Sequence, residues 1–250
     1  MMGYANKKMA ALLAMSAVAI MLLGGCLYPD EQRQANGVSV REAVRNMQMV
    51  VDQYQKDTGM LPIQNSTPQT PKYEKYVIDL GKLQRMQYIS DLPAVSFEKG
   101  GSYYFLILDE ETDPTVKLMD LVPYQKINDL QSKVDAYVAG SGELPAGEEA
   151  YPGFSWIDYE RLGGKAPELR SPYSGLSLSA MLDVQGRVYI DYGVDLARAA
   201  ERSGEEPSSQ RDLRELLVEG ADYVPVKAPV YRWVQGEPRA VAADGTDAAG

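Results

Sequence analysis

Apolar residues along this chain change rhythm several times. Met9 to Leu23 is a run of fifteen residues without a charge. From Ala43 onward the apolar positions recur at helical spacing, through Val44, Met47, Val50, Val51 and Tyr54, which predicts one stripe along an amphipathic helix. Ser39-Val40-Arg41-Glu42 fits a capping box at its start, and Gly59 and Pro62 mark its end. Asn65 to Lys72 is a proline-containing loop, and Tyr76 to Leu83 reads as a short strand or a turn of helix. Ser102 to Asp109 (SYYFLILD) is the strongest strand signal. Glu110 to Pro114 turns it, and Thr115 to Leu121 alternates back as its hairpin partner.

The pattern then starts again. Pro123 is expected to open a second helix at its first position, with Ile127, Leu130, Val134, Tyr137 and Val138 as its stripe and Gly142 and Pro145 as its end. Val51-Asp52-x-Tyr54 returns as Val134-Asp135-x-Tyr137, and Gly59-x-Leu61-Pro62 as Gly142-x-Leu144-Pro145, both 83 positions later. Ile78-Asp79 and Leu83 return as Ile157-Asp158 and Leu162, 79 positions later. Leu176 to Leu182 and Arg187 to Asp191 form the second hairpin, turned at Val184-Gln185-Gly186. Repeated anchors in the same order predict an internal duplication; the alternative is two α+β units that share helix-end signals by coincidence.

The expected fold class is therefore α+β, with tandem units of one helix and one antiparallel β-hairpin. The expected divisions are a signal peptide (1–25), a lipid-anchored tether (26–37), a first unit (38–122), a second unit (123–200), a short C-terminal helix and edge strand (201–236) and a disordered tail (237–250). In the segment after the second unit, Glu201 to Pro207 reads as a charged linker. Leu213, Leu216 and Leu217 lie on a short helix stopped at Gly220. Tyr223 to Val234 is strand-like, but Pro225 and Pro229 confine it to a sheet edge.

The N-terminus carries an address. Lys7 and Lys8 form a positive region ahead of the apolar run, which has signal-peptide length and is short for a membrane span. Leu23-Gly24-Gly25-Cys26 then resembles the bacterial lipobox, which implies alkylation of the Cys26 thiol by a diacylglycerol, with palmitate among the acyl chains of the anchor, and cleavage just before it. Cys26 is the one cysteine of 250 residues, so a disulfide within the chain is impossible and lipidation accounts for a lone thiol in an exported protein. An uncleaved signal anchor or a plain secretory signal is the competing reading. The lipobox places the chain on the outer face of the cell membrane.

Charge narrows the partners. The chain carries a formal net charge of −10, and loss of Lys7 and Lys8 with the signal peptide leaves the mature chain more acidic by both of those charges. That argues against nucleic acid, which requires a basic face, and against broad contact with an anionic bilayer. Histidine is absent. The usual general base near neutral pH and the commonest transition-metal ligand are thus missing, and no cofactor or metal is expected.

Several residues merit weighing as chemistry. Ser96-x-x-Lys99 has the spacing of a serine–lysine pair, but it precedes a strand and lacks companion motifs. Glu110, Glu111 and Asp113 could offer oxygens to calcium, without EF-hand spacing; a solvated acidic turn is the default, as at Glu148-Glu149 and Glu205-Glu206. Asp79 and Asp158 read as caps or turn residues. Tyr103, Tyr104, Tyr189, Tyr192, Tyr231 and Trp233 could stack on glycan or line a peptide groove, with packing between sheet and helix as the default. Met47, Met49 and Met60 read as core filling.

Two resemblances follow from quoted residues. The Val-Asp-x-Tyr and Gly-x-Leu-Pro helix ends, each followed by a hairpin, resemble the globular head of type II secretion pseudopilins. Leu23-Gly24-Gly25-Cys26 and Pro29 interrupt the continuous helix those proteins assemble through, and their early glutamate is missing. Gly25-Cys26-Leu27-Tyr28-Pro29, Tyr54-Gln55-Lys56-Asp57-Thr58-Gly59 and Asp113-Pro114-Thr115-Val116-Lys117 resemble the YphF-like proteins, an uncharacterised family of lipoproteins from spore-forming Gram-positive bacteria. Some of these are labelled as ABC-transporter binding proteins. The expected function is a non-enzymatic protein-interaction or structural role at the cell envelope, with an envelope protein as partner. The alternatives are a solute-binding lipoprotein of an ABC-type importer, which needs a cleft, and an envelope hydrolase.

Overall fold

The computed structural model describes residues 30–204 and 206–242. The signal peptide, the lipobox Leu23-Gly24-Gly25, Cys26 and residues 243–250 of the expected tail lie outside them. The chain divides into two contact units, Met1–Glu42 and Ala43–Gly250. In the first, the described residues belong to helix α1 (Asp30–Thr58), which starts nine residues before the expected Ser39 cap. Residues 30–37, expected as tether, are thus helical.

The second unit holds every other element, and it is α+β. Along α1, Val44, Met47, Val51 and Tyr54 are buried, as the stripe requires. Met49 and Met60 are exposed, which corrects their reading as core filling: Met49 falls off the stripe and Met60 lies past the helix end. Helix α2 (Leu80–Arg85) is capped by Asp79, whose carboxylate accepts from the Lys82 N–H at 2.7 Å. Strands β1 (Tyr103–Leu108) and β2 (Thr115–Asp120) form the expected antiparallel hairpin, with Ile107 opposite Val116.

Helix α3 (Leu121–Ser141) begins two residues before Pro123, because the Asp120 carboxylate accepts from the Val122 N–H at 2.9 Å and caps it. Pro123 still sits in the first turn, where its missing N–H has no helical partner to lose. Ile127, Leu130 and Val134 are buried. The chain then makes a hairpin the pattern did not predict, β3 (Ala146–Tyr151) and β4 (Phe154–Ile157). Two-residue strands β5 (Leu169–Arg170) and β6 (Ser177–Leu178) pair with each other. Strands β7 (Ala180–Asp183) and β8 (Val188–Ile190) are the expected second hairpin, and they complete a sheet of order β3-β4-β7-β8.

Local bonds recur between the halves. The Asp79 N–H donates to the Pro62 carbonyl at 2.8 Å, and the Asp158 N–H to the Pro145 carbonyl at 2.9 Å. Ile63 bridges Ile78 as Ala146 bridges Ile157; Val77 bridges Leu106 as Trp156 pairs with Met181.

After Asp191 the expectations need more correction. Helix α4 (Gly193–Ser203) runs through the expected boundary at 200 and into the expected linker. Its buried face, Leu196, Ala199 and Ala200, is narrow and alanine-rich, a weak hydrophobic signal. Helix α5 (Arg214–Glu219) stands where the leucine stripe predicts it. Strand β9 (Val230–Val234) pairs with β10 (Glu237–Val241). Residues 237–241, expected as disordered tail, are therefore a strand, with Pro238 and Ala240 buried. A core cluster joins Leu106 and Met119 of the first hairpin, Ile127 and Val134 of α3, Met181 and Ile190 of the sheet, and Tyr231 of β9.

Candidate functional site

Two concave surfaces bring polar groups together. The first is a groove of about 530 Å³ walled by Tyr151, Pro152, Trp156, Val194 and Pro238. Asp191 organises it. One carboxylate oxygen accepts from the Gly193 N–H at 2.9 Å, the Tyr151 hydroxyl at 3.0 Å and the Tyr231 hydroxyl at 2.7 Å. The Tyr231 hydroxyl in turn accepts from the Tyr192 N–H at 3.0 Å. Burial, reinforced by Asp191, holds the Tyr151 and Tyr231 phenols well above their ordinary range, so both stay protonated donors. A Cβ at position 193 would lie 2.6 Å from the Tyr151 hydroxyl, so a larger residue there would displace Tyr151 from Asp191. Glu149 and Glu237 add acidic groups at the rim, the latter paired with Arg239.

The second is a cavity of about 360 Å³ where four distant segments meet: the 69–74 loop, α3 at Gln131, β8 with the turn before it, and the 214–228 segment. A smaller cavity of about 200 Å³ adjoins it and shares Arg187, Tyr189 and Arg214. Lys72, Arg187, Arg214 and Lys227 line the pair, against a single lining carboxylate, Glu74. Other carboxylates stand behind the cations. The Arg187 Nε donates to Asp183 at 2.7 Å, and the Arg214 guanidinium grips Asp212 at 2.7 to 3.0 Å. Lys227 sits 3.2 Å from Glu74 and 4.4 Å from the Tyr124 ring centroid.

The weighed residues fall mostly on their defaults. Ser96 is buried and its hydroxyl has no hydrogen-bond partner, while Lys99 is exposed, so the structure does not join them as a pair. Glu111 and Asp113 are exposed at the hairpin tip. Among the described residues no group of three potential ligands is placed to hold a metal ion. Asp79 and Asp158 both bond backbone N–H groups at helix or turn starts. Tyr192 and Tyr231 are core; Tyr103, Tyr104, Tyr189 and Trp233 are half-buried. Among the described residues no helix is long and apolar enough to cross a membrane.

Sequence reasoning missed Tyr151, Trp156 and Asp191 as a group, and Tyr73, Arg187, Arg214 and Lys227 as another. Trp156 precedes the repeated Ile157-Asp158 anchor, the one signal that could have drawn attention to it.

The fold and its two concavities define an α+β module built on helix-and-hairpin units. Residues 40–120 match the YphF family N-terminal domain, a span from Val40 on α1 to the end of β2. This supports a YphF-like relationship for that segment. No curated protein and no solved structure matches the chain.

Proposed function

We propose that this chain is a lipid-anchored extracytoplasmic module that binds a protein partner at the cell envelope through the Trp156 groove. Cys26 supplies the anchor, on the strength of the lipobox and the charge-free run before it. The observation that carries the reading is the commitment of the groove's polar groups to one another. Asp191 is held by three donors, which fixes Tyr151 and the start of α4 and presents a rigid aromatic wall. Rigid aromatic anchors lose little entropy on binding. Glu149, the rim carboxylate that Arg239 does not offset, favours a basic residue in an extended segment of the partner. The matched bonds at Asp79 and Asp158 support descent of the two units from one by duplication.

A photo-crosslinker placed at Val194, half-exposed on the groove wall, tests this in intact membranes. A discrete protein adduct is expected, lost on Trp156→Ala and kept on Lys133→Gln, an exposed change on α3 outside the groove lining. An adduct indifferent to Trp156→Ala sinks the groove as the docking site. The solute-binding reading draws on the other cavity, whose volume suits a small molecule.

A further inference from the structure

The geometry points to a binding site for a small soluble organic anion, bearing a phosphate or carboxylate group, in the cavity framed by Tyr73, Arg187, Arg214 and Lys227. This rests on residues outside the Trp156 groove and stands whether or not that groove docks a partner.

Four observations carry it. In a chain of net charge −10, four cations line the paired cavities against one carboxylate. The second is Arg187, whose counter-ion is set back: Asp183 is 4 % exposed while Arg187 is half-exposed, so the guanidinium stands between its counter-ion and solvent, whereas Lys72 pairs with the exposed Glu215 and Lys227 with the lining Glu74. Asp183 orients the Arg187 guanidinium without occupying its outer donors, since Arg187 spends only Nε on it; Arg214 spends Nε and Nη2 on Asp212 and Nη1 on the Ala228 carbonyl. The third is Tyr73. It is 3 % exposed, lines the cavity and lies under the Arg214 guanidinium, 5.2 Å from its ring centroid, yet its hydroxyl has no hydrogen-bond partner. Burial and the neighbouring Asp212 push that phenol well above its ordinary range, which keeps it a donor. That hydroxyl is closed to solvent, so Tyr73 borders the cavity with its ring, and a buried donor without an acceptor is costly unless a shift of the ring brings it to one.

The fourth is the backbone at Lys227. It is held at φ 53°, a left-handed conformation costly for a non-glycine residue, and tied there by the Ile190 N–H, which donates to its carbonyl at 2.9 Å. An anionic group fits among the guanidinium and ammonium donors, and a shift of the Tyr73 ring would bring the phenol to it. The Tyr189 and Tyr73 rings and Pro225 would receive a flat or apolar remainder.

Calorimetric titration of the full chain in detergent tests the site with phenyl phosphate, benzoate, inorganic phosphate and phenol. Saturable one-to-one binding of phenyl phosphate or benzoate is expected, weaker binding of inorganic phosphate, and none of neutral phenol. Arg187→Gln should weaken binding roughly tenfold or more, with partial recovery in Arg187→Lys. Tyr73→Phe keeps the ring and should weaken it several-fold, Lys227→Gln likewise, and Lys133→Gln should leave it unchanged. Added salt should weaken it further. Circular dichroism establishes that each variant is folded; if Arg187→Gln is not, Tyr73→Phe and Lys227→Gln decide. No saturable heat with any anion up to about 10 mM overturns the proposal. So does equal affinity in the folded variants. Binding to phosphatidic-acid vesicles with none to phenyl phosphate overturns the assignment to a soluble ligand.

Discussion

Gln48 on α1 and Gln131 on α3 make the same three hydrogen bonds. Gln48 donates to Asp52 and to the Pro114 carbonyl, both at 2.8 Å, and accepts from the Val116 N–H at 2.7 Å. Gln131 donates to Asp135 and to the Gly186 carbonyl, both at 2.8 Å, and accepts from the Val188 N–H at 2.7 Å. In each half a side-chain amide imitates a neighbouring strand, satisfying a carbonyl and the N–H two residues on. The helix ends match too. Thr58 bonds the Tyr54 carbonyl at 2.8 Å and Ser141 the Tyr137 carbonyl at 2.9 Å.

This makes the two glutamines latches between helix and hairpin. Gln48→Ala and Gln131→Ala each strand a strand-edge carbonyl and N–H, with an expected cost of about 1 to 3 kcal/mol. Urea unfolding of the single variants measures it. A change confined to a few tenths at both positions would mean that water replaces the amide without loss.

The Gly100-Gly101 pair makes a sharper demand. A Cβ on Gly101 would lie 2.1 Å from the Val95 carbonyl oxygen, and the Gly101 N–H already donates to the Ser96 carbonyl at 2.8 Å. Backbone stands on the other side of that contact, so nothing flexible can yield. Gly101→Ala is expected to cost about 3 kcal/mol. Gly100 sits at φ 91° in open space, so Gly100→Ala carries only the conformational strain, about 1 kcal/mol. Equal costs for the two would contradict the contact.

Which elements were legible follows from what holds them. The stripes of α1 and α3 and the β1–β2 hairpin are stabilised by their own periodic apolar residues, so pattern alone finds them. Strand β3 is not: Ala146-Gly147-Glu148-Glu149-Ala150-Tyr151 has little strand character and is held by its pairing with β4, through two register shifts. Strand β10 contains Pro238 and is held by β9. The start of α1 was missed because Gly37 and Ser39 read as breaks. The cationic cavity was invisible for a different reason. Tyr73, Arg187 and Lys227 are separated by up to 154 positions, and no local spacing links them.

The tyrosines set an alkaline limit on stability. Burial, aided by Asp183, pushes the Tyr189 phenol up to about 12, and burial alone pushes Tyr159 up to about 12. An unfolded phenol ionises near 10. Below pH 10 both states are protonated and the full stability is present. Between 10 and 12 the unfolded chain loses protons that the folded chain retains, so stability falls as pH rises. Tyrosinate absorbance should therefore rise together with loss of circular dichroism across that window. Phenols that ionise fully near pH 10, before any unfolding, would contradict their burial.

The anchor has its own test, because sequence predicts two separable outcomes at one residue. Cys26→Ala removes the acceptor thiol and leaves the apolar run of Met9 to Leu23 intact. The wild-type chain expressed in a bacterium should take up labelled palmitate and resist extraction from membranes by alkaline carbonate, since two or more acyl chains hold where one does not. The alanine variant should take up no label. It should also keep its signal peptide, or be released if a general signal peptidase cuts it. Membrane association alone cannot decide between lipid and an uncleaved signal, and the label can. Equal labelling of both chains would remove Cys26 as the lipidation site. An unlabelled wild type, uncleaved and carbonate-resistant, would make residues 9–23 the anchor.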